Sequence, residues 1–89
     1  MRLDKYLKVS RIIKRRTIAK EACESGRVFI NGKVAKPSSD VNENDVIEVK
    51  FAKGALRAKI VNISQHVTKT DAKLMYEIIA DTSEEAQKE

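Results

Sequence analysis

The spacing of apolar and polar positions divides this chain into short elements. Leu3 and Leu7 stand four apart while Lys5 and Lys8 point elsewhere, which predicts a first helix over 3–9. Asp4 sits near its start, where a carboxylate caps exposed amides and meets the positive end of the helix dipole. A second role open to Asp4 is to pair with a nearby arginine and aim it. Residues 10–16 form a connection that Ile12 and Ile13 can anchor. Ile18, Ala19, Ala22 and Cys23 then recur at helical spacing, with Lys20, Glu21 and Glu24 outward and Thr17 as the expected N-cap. Gly26 supplies a residue able to take positive φ where that helix ends.

Beyond Gly26 the period changes. Val28-Phe29-Ile30, then Asn31-Gly32, then Lys33-Val34-Ala35 is a hairpin signal, because a type I′ turn needs positive φ at both central residues. Pro37–Asp40 reads as loop, Val41 tucks inward, and Asn42–Asp45 makes another turn. Between Val46 and Phe51 the pattern alternates, with Ile47, Val49 and Phe51 on one face and Glu48 and Lys50 on the other. After a turn at Lys53-Gly54, residues 56–64 are β-rich and shift phase near Ile60-Val61, which suggests a bulge or a strand covered on both faces. Ala72, Met75, Tyr76, Ile79 and Ala80 fit a helical spacing that starts at Thr70-Asp71, so a helix is expected over 70–80, with a strand as the alternative. The polar, acidic residues 83–89 are expected to fray.

Charge changes the picture most. The 89 residues carry a formal net charge of +5, unevenly spread. Residues 1–20 hold eight cations (Arg2, Lys5, Lys8, Arg11, Lys14, Arg15, Arg16 and Lys20) against Asp4 alone, a local net charge of +7. Residues 81–89 carry −3. Solvation does not require such segregation, whereas a polyanionic partner is attracted by it. Arginine grips phosphate with a planar fork and stacks on bases, so Arg2, Arg11, Arg15 and Arg16 rank above the lysines. Tyr6 is the single aromatic in this stretch and reads as core, which favours recognition of RNA shape and backbone over base identity. Arg27 and Lys33 either extend the basic patch or serve as ordinary surface.

Catalytic and metal chemistry find little to stand on. The single histidine, His66, has no neighbouring Cys or second His, so neither a metal site nor a His-based triad can be assembled locally. Asp40, Glu43 and Asp45 are turn carboxylates, and three scattered glycines make no phosphate-cradling loop. Cys23 is the lone cysteine and is expected to be a buried thiol beside Ile18, Ala19 and Ala22, with a redox or nucleophilic role as the lesser alternative. No cofactor is expected. No run approaches the roughly 18 apolar residues of a membrane span, so a soluble, cytoplasmic protein without a membrane partner is expected. Two other readings stay open: a helix-turn-helix that reads DNA, although Lys20, Glu21 and Glu24 make its second helix partly acidic, and a protein-interaction adaptor.

In order, Arg2-Leu3-Asp4-Lys5-Tyr6-Leu7, Arg11, Arg15-Arg16-Thr17-Ile18-Ala19, Gly26-Arg27-Val28, Val34 after Asn31-Gly32, and Asp45-Val46-Ile47 resemble the S-four RNA-binding domain. The resemblance covers roughly residues 1–51. Asn44 departs from the glycine usual there, but asparagine also tolerates the left-handed conformation. The resemblance implies an α+β, S-four-like (αL) fold: two N-terminal helices on a small twisted, mostly antiparallel sheet of about four strands. With the expected C-terminal helix, the chain divides into an RNA-binding domain (1–64), an extension (65–82) and a flexible acidic tail (83–89). The resemblance also implies that the helix pair presents its cations to structured RNA. The chain is most similar to short stand-alone bacterial members of the family, related to the heat-shock S-four protein, that act in ribosome-associated quality control. They imply a monomer on the large ribosomal subunit, contacting large-subunit rRNA and peptidyl-tRNA. There it would act beside an alanine-tailing factor of the RqcH/NEMF type, with Asp4 as an orienting residue.

Overall fold

The computed structural model describes residues 1–64 and 71–82. Helix α1 runs Leu3–Val9 and α2 runs Arg16–Glu24. Five strands follow: β1 (Val28–Ile30), β2 (Lys33–Val34), β3 (Val46–Phe51), β4 (Gly54–Ile60) and β5 (Tyr76–Asp81). They form one antiparallel sheet in the order β2-β1-β3-β4-β5, so β3 lies at its centre. Its alternation explains that position: Ile47 and Val49 are almost fully buried, while Lys50 faces outward.

The core lies between the helix pair and one sheet face. Helix α1 contributes Leu3, Tyr6 and Leu7, each with no exposed surface. Helix α2 contributes Ala19, Ala22 and Cys23, whose small side chains let its backbone lie close to its neighbours. Val28, Val41 and Ile60 close the sheet side. Each large aliphatic buried here stabilises the fold by about 1.5–3 kcal/mol.

The turns form as the residues dictate. Asn31 and Gly32 have φ of 51° and 83°, the two positive values that the hairpin requires. Asn31 also holds the neighbouring turn: its Oδ1 accepts the Val46 N–H at 2.9 Å, and its Nδ2 donates to Asp45 Oδ1 at 3.1 Å. Asn44 takes φ of 77°, so asparagine does carry the left-handed position here.

Three expectations need correction. Residues 70–80 do not form a helix: a single 3-10 turn, Asp71–Leu74, leads into β5. The spacing of Ala72 and Met75 also suits that tighter turn, and both side chains are buried. Tyr76, Ile78 and Ile79 then favour the extended state, where the open edge of β4 satisfies their backbone. The sheet therefore has five strands. Secondly, the irregularity lies not at Ile60-Val61 but between Arg57 and Ala58, which pair with Ala80 and Ile78 and leave Ile79 as the extra residue on β5. Thirdly, α2 begins at Arg16 with Arg15 as N-cap, two residues ahead of Thr17, and Ile18 is 46% exposed instead of joining the core. His66 and residues 83–89 lie outside the described residues.

Candidate nucleic-acid interface

The basic region is organised from the first turn of α1. A helix start leaves four backbone amides without helical partners. Here the loop before Val41 supplies carbonyls: Leu3 N–H donates to Ser39 O at 2.8 Å and Asp4 N–H to Pro37 O at 3.2 Å. Lys5 N–H donates to Asp4 Oδ1 at 2.8 Å, and Tyr6 N–H starts the helical ladder by donating to Arg2 O. Asp4 thus caps one amide, and its remaining acceptor capacity goes to arginine.

Arg2 donates from Nε to Asp4 Oδ1 at 3.2 Å and from Nη2 to Oδ2 at 3.3 Å, a two-pronged grip. Arg16 Nη2 approaches the same Oδ1 at 3.5 Å. The carboxylate is almost fully buried, whereas each guanidinium is about half exposed. Burial pushes the Asp4 carboxyl up. The hydrogen bonds from Arg2 and the Lys5 amide, with the charges of Arg16 and Arg2, outweigh burial and hold it below its ordinary 3.8. Both roles open to Asp4 are filled at once.

Arg16 is also the first residue of α2, where the helix dipole repels a cation, and the first turn of α2 contains no acid. Stability alone would place Asp or Glu there. Asp4, reaching across from α1, offsets the repulsion and joins two arginines that stand fourteen positions apart in the chain.

The other candidates are spread over α1, the α1–α2 connection and α2. Lys14 and Arg15 line a groove between the α1–α2 connection and the end of β3. Arg2 and Lys20 border a wider hollow that also meets Lys36. Lys5 is half-buried on α1 and Lys8 is exposed near its end; with Arg11 they line neither depression. Arg11 follows α1 with φ of 62°, a conformation costly for a side chain of its size. Its left-handed turn ends α1 and redirects the chain toward Ile12 and Ile13. Sequence reasoning missed that role, and no glycine or asparagine marks it.

Among the described residues, no three His, Cys, Asp or Glu side chains gather as a metal ion would need. Cys23 is buried, and burial first, then the charges of Asp4 and Glu24, push its thiol up to about 11, which leaves it protonated and unreactive at neutral pH. Among the same residues, no helix is long and apolar enough to cross a membrane.

The chain as a whole is similar to known proteins. A family model described as the S4 domain matches residues 1–47. The RQC P-site tRNA stabilizing factor of Streptococcus pneumoniae is 52% identical over 82 residues, covering 92% of this chain and 93% of its own. The protein of the same name from Halalkalibacterium halodurans is 49% identical, covering 88% of this chain and 89% of its own. In solved structures, Vibrio cholerae heat shock protein 15, described as trimeric, superposes with a TM-score of 0.82 at 30% identity, covering 99% of this chain and 90% of that one.

Proposed function

The chain belongs to the S4 domain family, and from that membership we propose that it is a cytoplasmic RNA-binding protein without catalysis of its own. It docks as a monomer, through Arg2, Lys5, Lys8, Arg11, Lys14, Arg15, Arg16 and Lys20, on structured rRNA and tRNA. Its target is the large ribosomal subunit that still carries a stalled peptidyl-tRNA. There it steadies the tRNA while a factor of the RqcH/NEMF type adds C-terminal alanine tails. The observation that carries the reading is the buried Asp4 carboxylate holding two half-exposed arginines. That arrangement pre-orders two forks whose outer edges remain available to phosphate, so less side-chain entropy is lost on docking. The relatives' name, with its P-site tRNA, supports the choice of target.

The test is purification of the tagged protein from cells under translation stress, comparing wild type with the double variant Arg2→Glu, Arg16→Glu. Large subunits and tRNA should accompany the wild type and be lost from the variant. Recovery of small subunits alone would remove the quality-control target. Undiminished recovery of large subunits by the variant would remove these arginines from the interface.

A further inference from the structure

Lys36 lies outside the basic run at the start of the chain, yet the fold returns it to the same surface. It follows β2 and opens the loop that leads back to α1. That loop is closed on itself: the Lys36 N–H donates to Ser39 Oγ at 2.9 Å, and the Ser39 N–H donates to Lys36 O at 3.0 Å. Pro37 O and Ser39 O are the carbonyls that accept the Asp4 and Leu3 amides, so the loop is fastened to the first turn of α1. The Val41 N–H, donated to Met1 O at 2.9 Å, extends the attachment. Lys36 is thus carried by the segment that also positions Arg2.

The hollow they share measures about 610 Å3. Arg2 and Lys20 meet it from the helices and Lys36 from the loop, while Val34 and Pro37 add apolar lining. The three cations differ in standing. Arg2 is gripped by Asp4 and offers only its outer edge. Among the described residues, Lys20 and Lys36 enter no ion pair, although Glu24 lines the hollow as well. Folding gains nothing by gathering three like charges around one depression, since they repel across it. A polyanion does gain, and the single charge of Glu24 does not cancel three. One carboxylate would satisfy one cation and leave the others unmet. An RNA strand carries phosphates in a row with a ribose between each pair, so it can meet the three in turn and lay its sugars against Val34 and Pro37. We infer that Lys36 is a phosphate-contacting residue, and that the hollow it shares with Arg2 and Lys20 is a track for one strand of the RNA backbone.

This inference rests on the RNA-binding reading and extends the bound surface from the helices onto the loop after β2. The probe is a transfer RNA stem-loop, titrated over a range of salt with wild type, Lys36→Gln, Lys36→Arg, Lys59→Gln and Arg16→Gln. Lys36→Gln should weaken binding about fivefold at about 0.15 M salt and flatten the plot of log affinity against log salt by about 0.9, the share of one phosphate with the duplex coefficient. Lys36→Arg keeps the charge and should match wild type. Lys59→Gln makes the same change in net charge at an exposed position of β4 outside the hollow, and should alter neither quantity. Lys36 is exposed too, so thermal midpoints should stay level across these variants. If Lys36→Gln behaves like Lys59→Gln while Arg16→Gln still flattens the slope, the backbone track is overturned and RNA binding stands. Equal loss in Lys36→Gln and Lys36→Arg would trace the effect to the loop and not to a phosphate, which overturns it as well. Failure of wild type to bind the stem-loop at any salt overturns the underlying reading instead.

Discussion

At the scale of single residues, Asp4 decides how the basic surface is displayed. Replacing it with asparagine keeps an acceptor for the Lys5 amide but removes the charge that holds Arg2 and Arg16. Hydrogen bonds to a charged group contribute about 1.5–3 kcal/mol, and the released guanidiniums are half exposed and can rehydrate, so Asp4→Asn should cost about 1–2 kcal/mol. The pH dependence follows from the lowered carboxyl. A group whose folded pKa lies below its unfolded value contributes fully above the unfolded value and loses its contribution as pH falls through the folded one. Denaturant titrations should therefore show a constant gap between wild type and Asp4→Asn above about pH 5, closing below 3.8. The variant also sets two effects on RNA binding against each other. It adds a positive charge, which strengthens attraction to phosphate, and it frees two arginines from a common anchor, which raises the entropy lost on docking. If Asp4 acts as an organiser, affinity measured beside the stability series falls despite the added charge; a rise would reduce Asp4 to a structural cap. From sequence, only half of this was legible. The carboxylate near a helix start was visible, but its link to Arg16 needs the two helices packed together.

At the scale of elements, β5 shows where local pattern stops being informative. The helical spacing of Ala72 and Met75 was real and is honoured by one 3-10 turn; the same spacing carried into Tyr76–Asp81 was accidental. Ile78 and Ile79 are both about half exposed because the bulge breaks strict alternation, and that removed the period-2 signature by which a strand is recognised. The hairpin at Asn31-Gly32 and the strand Val46–Phe51 were legible, since turn chemistry and alternation there agree with the sheet. What ties β5 to the helices is Tyr6, whose Oη donates to Met75 O at 2.8 Å from a fully buried ring. Burial, joined by the charge of Tyr76, pushes its phenol well above the ordinary range and keeps it a donor. Met75 O also accepts the N–H groups of Val61 and Asn62, so it keeps partners when the hydroxyl is removed. Tyr6→Phe should accordingly cost only about 0.5–1.5 kcal/mol, the worth of one neutral hydrogen bond, and lower Tm by about 4–8 °C per kcal/mol. Calorimetry checks the size, and hydrogen exchange should show the loss concentrated at Val61, Asn62 and the β4–β5 pairing.

Across the whole molecule, the decisive quantity is how many of its charges act at once. The principal extents are 28 × 27 × 23 Å, several times the roughly 8 Å screening length at physiological salt, so cations on the far side of the sheet cannot help neutralise phosphates docked at the helices. Some of the sheet's charge is also spoken for: Arg57 Nη2 lies 3.3 Å from Glu48 Oε1 on strands β4 and β3. The net charge of +5 is therefore a poor guide, and the count of cations gathered near α1 and the start of α2 a better one. If about five of them meet phosphates, the plot of log affinity against log salt for a ribosomal or transfer RNA stem-loop should have a slope near −4 to −5, using the duplex coefficient. Arg16→Gln should flatten that slope by about 0.9 if it meets one phosphate, whereas Arg57→Gln, on the sheet, should leave it unchanged. A wild-type slope of about −1 would mean that few phosphates are engaged and would favour a protein-docking surface. Equal affinity for duplex DNA at matched salt would favour the helix-turn-helix alternative, because A-form RNA differs from B-DNA in groove shape and in its 2′-hydroxyls.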